Sequence, residues 1–202
     1  RHPDTATSLS NVASYHNALG NPKRALELSD QALVIRRELF GERHPDTATS
    51  LSNVASYHNA LGNPKRALEL SDQALVIRRE LFGERHPDTA TSLSNVAGYH
   101  DALGNPKRAL ELAEQALVIH RELFGERHPH TANSLHNIAS MLLSRGKMAQ
   151  SHKLAREALN IRKQVLGIDH PKTLNTFNLL RRIPGFRAPS TQRPKTKQRR
   201  SK

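Results

Sequence analysis

Between Pro3 and Leu19 the small and apolar positions Ala6, Leu9, Val12, Ala13, His16 and Leu19 recur at helical spacing. The pattern predicts a helix, A, over that stretch. Gly20 suits the left-handed position that follows a helix, and Asn21-Pro22 reads as an N-cap with proline in the first helical turn. A second helix, B, therefore starts at once. Its apolar stripe is Ala25, Leu28, Ala32, Ile35 and Leu39, with Phe40 near the end, and Gly41 followed by His44-Pro45 closes the unit. The predicted element is an antiparallel helical hairpin with no strand and no long loop.

The hairpin repeats. His2-Pro3-Asp4-Thr5-Ala6 recurs from His44, His86, His128 (as His-Pro-His-Thr-Ala) and His170 (as His-Pro-Lys-Thr-Leu), always with a period of 42 residues. Residues 2–43 and 44–85 are identical, and 86–127 differs from them only at Gly98, Asp101, Ala113, Glu114 and His120. Residues 128–169 keep the apolar skeleton under a changed surface, and a fifth unit stops partway through its first helix. A divergent last unit is what the end of a stacked array requires. The expected fold is all-α, with nine helices. It comprises an array over 1–183, made of units 2–43, 44–85, 86–127 and 128–169 with a capping helix over 170–183, then a basic disordered tail over 184–202. Because Arg1 opens the chain at a repeat boundary without an initiator Met, the expectation is the C-terminal piece of a longer array.

Leu9, Val12-Ala13, Gly20, Ala25 and Ala32 fall where the tetratricopeptide consensus has its large, small and glycine positions, and the chain resembles that family. The 42-residue spacing, the His-Pro-Asp-Thr-Ala opening, the Leu-x-Asn-Val-Ala core, the Gln-Ala-Leu-x-Ile run and the Leu-x-Gly-x-x-His-Pro junction are similar to the kinesin light chain subclass over residues 2–182. This resemblance implies a right-handed superhelical solenoid of antiparallel helix pairs. In it the A helices line a concave groove, the B helices form the outer wall, and the groove binds peptide segments of a partner protein.

The polar positions show a matching asymmetry. Helix A is uncharged after Asp4 and carries Thr7, Ser10, Asn11, Ser14 and Asn17 along one stripe, whereas Lys23, Arg24, Glu27, Asp30, Arg36, Arg37 and Glu38 lie on helix B. A face meant only for water usually carries charge, so a row of small neutral hydrogen-bonding side chains suggests a surface kept clear for a ligand. Its equivalents are Thr49, Ser52, Asn53, Ser56 and Asn59, then Thr91, Ser94, Asn95 and Asp101, then His136, Asn137 and Ser140. An asparagine amide both donates to and accepts from one peptide unit, and Asn11, Asn53, Asn95 and Asn137 repeat that capacity along the array. The resemblance implies a peptide-holding role for these four; small polar residues also let helices approach closely, and the pattern leaves both readings open. Some relatives clamp a C-terminal carboxylate with Lys and Arg from helix A, but here the matching stripe is Ser and Thr, so no such clamp is expected. In the fourth unit His136, Ser140 and Leu143, with Arg145 nearby, predict a larger, more apolar and mildly basic stretch of groove.

With 36% apolar and 4% aromatic residues in 202, the chain lacks the material for one large core, so its core must be distributed along the array. No uncharged apolar run approaches the roughly 18 residues a bilayer crossing needs, and no membrane partner is expected. The absence of Cys excludes disulfides, cysteine-ligated zinc and thiol catalysis, and is compatible with the cytoplasm, the expected location. Among the twelve histidines, His16, His58 and His100 recur at one position. Successive hairpins stack at about 10 Å, too far for two such imidazoles to share zinc at ~2 Å bonds. His128 and His130 read as incidental capping at a helix start, and no metal or cofactor is expected. The Tyr15, Tyr57 and Tyr99 column fits either partner contact or inter-helix packing. Neither a phosphate-binding loop nor G-x-S-x-G occurs, so no enzyme is expected.

The formal net charge of +13 is unevenly placed. Units 2–43 and 44–85 each carry five basic and five acidic residues, 86–127 four and six, 128–169 six and two, and 170–202 ten and none. The stretch Arg187 to Lys202 has seven basic residues, two prolines and no aromatics, the composition of a disordered tail able to meet nucleic acid or another acidic partner. Two further readings thus stand beside the interaction scaffold: the sensor or oligomerisation repeats of a larger signalling ATPase, and nucleic-acid binding through the tail. Near-identical units with an uncovered first face also predict end-to-end self-association.

Overall fold

The structure is a computed structural model that describes residues 2–184. Nine α-helices and no strand occur among the described residues: α1 (Pro3–Ala18), α2 (Pro22–Phe40), α3 (Pro45–Ala60), α4 (Pro64–Phe82), α5 (Pro87–Ala102), α6 (Pro106–Phe124), α7 (Pro129–Leu143), α8 (Met148–Val165) and α9 (Pro171–Arg181). Odd-numbered helices are A helices and even-numbered ones B helices, each packed mainly on the helix before and the helix after it. The predicted tail lies outside the described residues.

The recurring His-Pro-x-Thr sets every junction between units. Nδ1 of His2, His44, His86, His128 and His170 accepts from the amide two residues on at 3.1–3.2 Å, which caps one of the free donors of the helix start. Proline follows in the first turn, where its missing amide loses no bond. The rings of His44, His86 and His128 stack 4.4 Å from Phe40, Phe82 and Phe124 of the preceding B helix. Thr47, Thr89, Thr131 and Thr173 donate to the carbonyls of Gly41, Gly83, Gly125 and Gly167 at 2.7–2.8 Å. His128 is therefore no accident of capping; it does what its four counterparts do. The expected asparagine cap is made by Asn21, at 3.3 Å from the Arg24 amide, but not by Asn63 or Asn105.

The glycine that ends each B helix is held by its backbone. Gly83 sits at φ 81° and ψ 179°, a region that side chains with a Cβ essentially avoid. Gly83→Ala is expected to lower stability by about 2 kcal/mol, read as a fall in the urea midpoint. An unchanged midpoint would show that the junction relaxes at no cost.

Alanines at the helix crossings, such as Ala48, Ala55, Ala67 and Ala74, are fully buried and let the helices approach, while Leu51, Leu93 and Leu135 fill the space between them. The core runs along the array as overlapping clusters rather than one mass. Several expected core positions depart from this. Val12 and Leu19 are 45% and 82% exposed because no helix packs on that side of α1, whereas Val54, Val96 and Ile138 are covered by the preceding B helix. Leu39 and Phe40 are also more than a third exposed, since the last turn of each B helix overhangs the junction. Arg36, placed on the outer wall by its sequence, is buried, as are Arg78 and Arg162. Tyr57 and Tyr99 pack into the core between units, so for them the column is inter-helix packing.

Candidate peptide-binding groove

The predicted stripe stays open along its whole length. Thr7, Asn11, Ser14 and Asn17 on α1, Thr49, Ser56 and Asn59 on α3, Thr91 on α5 and Asn137 on α7 are exposed; Ser10, Ser52, Asn53, Ser94, Asn95, Asp101, His136 and Ser140 are half-buried. Their neighbours one helical step away, Ser50, Ser92 and Ser134, are buried and serve a different purpose.

That purpose is to receive the buried arginines. Arg36 Nη1 donates to Ser50 Oγ at 2.7 Å, and Arg78 Nη1 to Ser92 Oγ at 2.6 Å. Arg78 also reaches Ser52 at 3.3 Å and Thr49 at 3.4 Å, so one guanidinium from a B helix ties two successive A helices together beneath the groove. Arg162 repeats the device with Thr176, the Lys172 carbonyl at 2.7 Å and Asn133 at 2.8 Å. Burial pulls the Arg78 guanidinium down, with Asp88 opposing, and pulls that of Arg162 down to about 10; both remain cations at neutral pH.

The hydroxyls of the stripe turn partly inward. Thr7, Ser10, Thr49, Ser52 and Thr91 donate to the carbonyl one turn back at 2.9–3.3 Å, and the oxygens of Thr49 and Ser52 accept in turn from Arg78. Among the described residues no such bond engages the amides of Asn53, Asn95 and Asn137, whose donors and acceptors are left unengaged.

At the third unit the stripe deepens into a concave cavity of about 310 Å³, lined by Asn59, Ser94, Asn95, Gly98, Tyr99, Asp101, Asn137, Ser140 and Met141. It gathers predicted residues from α3, α5 and α7. Sequence reasoning did not place Gly98 or Met141 there. The signal for Gly98 was visible: it is one of five changes in a copied unit, it replaces a serine in the middle of a helix, and open space lies above it.

The groove is neutral here, a correction to the mildly basic character expected. Arg145 donates to the Asp101 carboxylate and to the Met141 carbonyl, so its charge is balanced by a residue of the previous unit. Leu143 packs instead into the cluster of Ala139, Leu179 and Leu180. Burial, then Arg162, lowers His136 to about 4, which leaves it uncharged at neutral pH. A wider cleft of about 560 Å³ on the outer side is lined by Glu84, Arg85, Glu111, Glu114 and Glu122 among others. Its carboxylates are partly balanced, with Arg85 3.5 Å from Glu122 and Arg108 3.3 Å from Glu111.

His58 and His100 sit behind the groove, where they oppose the rise that burial imposes on the Asp30 and Asp72 carboxyls of the preceding unit. No group of three or more His, Asp or Glu able to hold a metal ion occurs among the described residues. No helix among them is long and apolar enough to cross a membrane.

Stacked helical hairpins with a largely neutral inner row and a charged outer wall define a helical-repeat scaffold for protein–protein interaction. The tetratricopeptide repeat family matches over residues 4–75 and 50–119 in one form and over 131–172 in another, and the chain belongs to that family. Among solved structures it is similar to a Podosopora anserina protein of kinesin light chain type with nearly identical tetratricopeptide-like repeats. Two crystal structures of that protein, one of a point variant, are 26% identical to this chain, with TM-scores of 0.73 and 0.72. The likeness covers 91% of this chain and 86–87% of those. BtubC (BKLC) from P. vanneervenii shares the fold at 24% identity, with a TM-score of 0.73 over 88% of this chain and 71% of its own. No curated protein matches the chain.

Proposed function

We propose that the chain binds an extended peptide segment of a partner protein along the concave row of its A helices, with Asn53, Asn95 and Asn137 pairing to the peptide backbone. The observation that carries this reading is the pair of unengaged amides of Asn95 and Asn137 lining the concave cavity, with Asn53 at the same repeat position one unit earlier. Repetition of one amide per hairpin suits a ligand that itself repeats a peptide unit. The A helices α1, α3, α5 and α7 carry no Lys or Arg, so the inner face offers none of the cations that a nucleic-acid backbone requires.

The test uses peptides selected from a random library on the immobilised protein. Replacing Asn95 and Asn137 together by Ala is expected to weaken their binding roughly 30-fold, about 1 kcal/mol for each lost pair of contacts. Thermal unfolding of the double variant should stay close to that of the parent, because neither amide is hydrogen-bonded among the described residues. Unchanged affinity with unchanged unfolding would exclude the asparagine row as the binding surface.

A further inference from the structure

Three of the four junctions between units hold a B-helix arginine against a hydroxyl of the next A helix; the third holds His120 instead. The His120 ring is buried, with Nδ1 2.8 Å from Ser134 Oγ and Nε2 enclosed without a partner among the described residues. The same junction carries a second change. Where α3 and α5 have Asp46 and Asp88, α7 has His130. The His130 ring lies 5.3 Å from that of His120 and 5.2 Å from that of His128, and Phe124 closes the group at 5.0 Å from His130 and 4.4 Å from His128. A charged arrangement at one junction has become a stack of imidazoles at the next.

We propose that the junction between the third and fourth units is an acid-sensitive hinge, in which protonation of the His120–His130 pair loosens α7 from α6. The neutral His120 ring satisfies one nitrogen through Ser134. A second proton would sit on a buried nitrogen with no acceptor, beside another base. His128, the cap of α7, acts on both rings, His130 on His120, and Lys172 from the start of α9 on His130, all of them bases. On the other side of α6, helix α5 has no charged side chain between Asp88 and His100, and Glu157 of α8 reaches α6 at Arg121, 2.9 Å away. At the junction itself Glu126 is held by Arg121 at 2.9 Å and Glu122 lies 3.5 Å from Arg85, and no carboxylate is among the groups acting on the pair, whereas Asp88 stands by Arg78 one junction earlier.

Burial, then His130 and His128, press His120 down to about 4, and burial, then His128 and Lys172, press His130 down as well. Because these folded-state values lie below the ordinary ~6.5 of an unfolded histidine, the stability they support is complete above about pH 6.5 and is lost as pH falls towards 4. The walls of the concave cavity, Ser94 and Asn95 on α5 and Asn137 and Ser140 on α7, stand on opposite sides of this hinge.

The test is hydrogen exchange of the whole chain at pH 7 and pH 5, corrected for the intrinsic pH dependence of exchange. Residues 83–90, at the arginine junction, serve as internal reference for residues 125–132. For one histidine moved from about 6.5 to about 4, protection at 125–132 should fall roughly 20-fold more than at 83–90 between the two pH values. The double variant His120→Arg with His130→Asp, which copies the second junction, should remove the difference, and His136→Ser should keep it. Equal protection at the two junctions at pH 5 in the parent chain would overturn the proposal. So would an acid loss that persists in the double variant and disappears in His136→Ser, or protection at 125–132 that depends on added zinc.

Discussion

Replacing Tyr57 by Ala should lower the stability of the array by about 3 kcal/mol, while the same replacement at Tyr15 should change it by no more than about 0.5 kcal/mol. The two tyrosines sit in identical 42-residue sequences, so neither propensity nor any local pattern separates them. What separates them is the stack. Tyr57 is 6% exposed and packs on Ala13, Ala25 and Leu28 of the first hairpin, whereas Tyr15 is 71% exposed because no hairpin precedes it among the described residues. Removing a buried aromatic ring takes away its transfer free energy and leaves a hole that the alanine-lined crossing cannot close. Chemical denaturation of the two single variants reads the difference directly. Equal losses at both sites would mean that the face of α1 is covered in solution, by the self-association that an uncovered first face predicts.

Arg78→Ala is expected to cost about 3 kcal/mol as well, and Arg78→Lys to restore only part of it. Only 7% of Arg78 is exposed, and its two terminal nitrogens are divided between Ser52 and Thr49 on one A helix and Ser92 on the next. Bonds from a charged donor are worth more than neutral ones when both partners are out of water, and the long stem fills the space between the hairpins. A lysine supplies the charge at one point but cannot reach both helices at once. If Lys restored full stability, the charge and not the fork would be what joins the units. Since each hairpin meets only its neighbours, the loss should appear first as exchange of α3 to α5 amides, ahead of the rest of the array.

The groove was legible to a useful depth. A stripe of small neutral residues on one helix and charges on the other pointed to the surface that stays open, and Gly98 and Asp101 stood out as departures within a copied unit. Its electrostatics were not legible. Arg145 and Asp101 are 44 positions apart, and their pairing depends on how the turn after α7 folds back on α5. The inward direction of Arg36, Arg78 and Arg162 was hidden for a similar reason: in sequence an arginine beside Arg37 or Arg79 reads as part of a solvated helix face.

By itself the sequence determined the hairpins, their period, their boundaries and the all-α class. Those follow from interactions within a few residues: histidine caps, proline in the first turn, glycine at the exit and apolar positions three and four apart. The tertiary structure alone decided which of several identical side chains are buried, which arginines clamp the units, where the neutral cavity opens and where three imidazoles meet. The reason is that burial and pairing in a stacked array belong to the contact between hairpins. That contact differs for each copy even when the sequence does not.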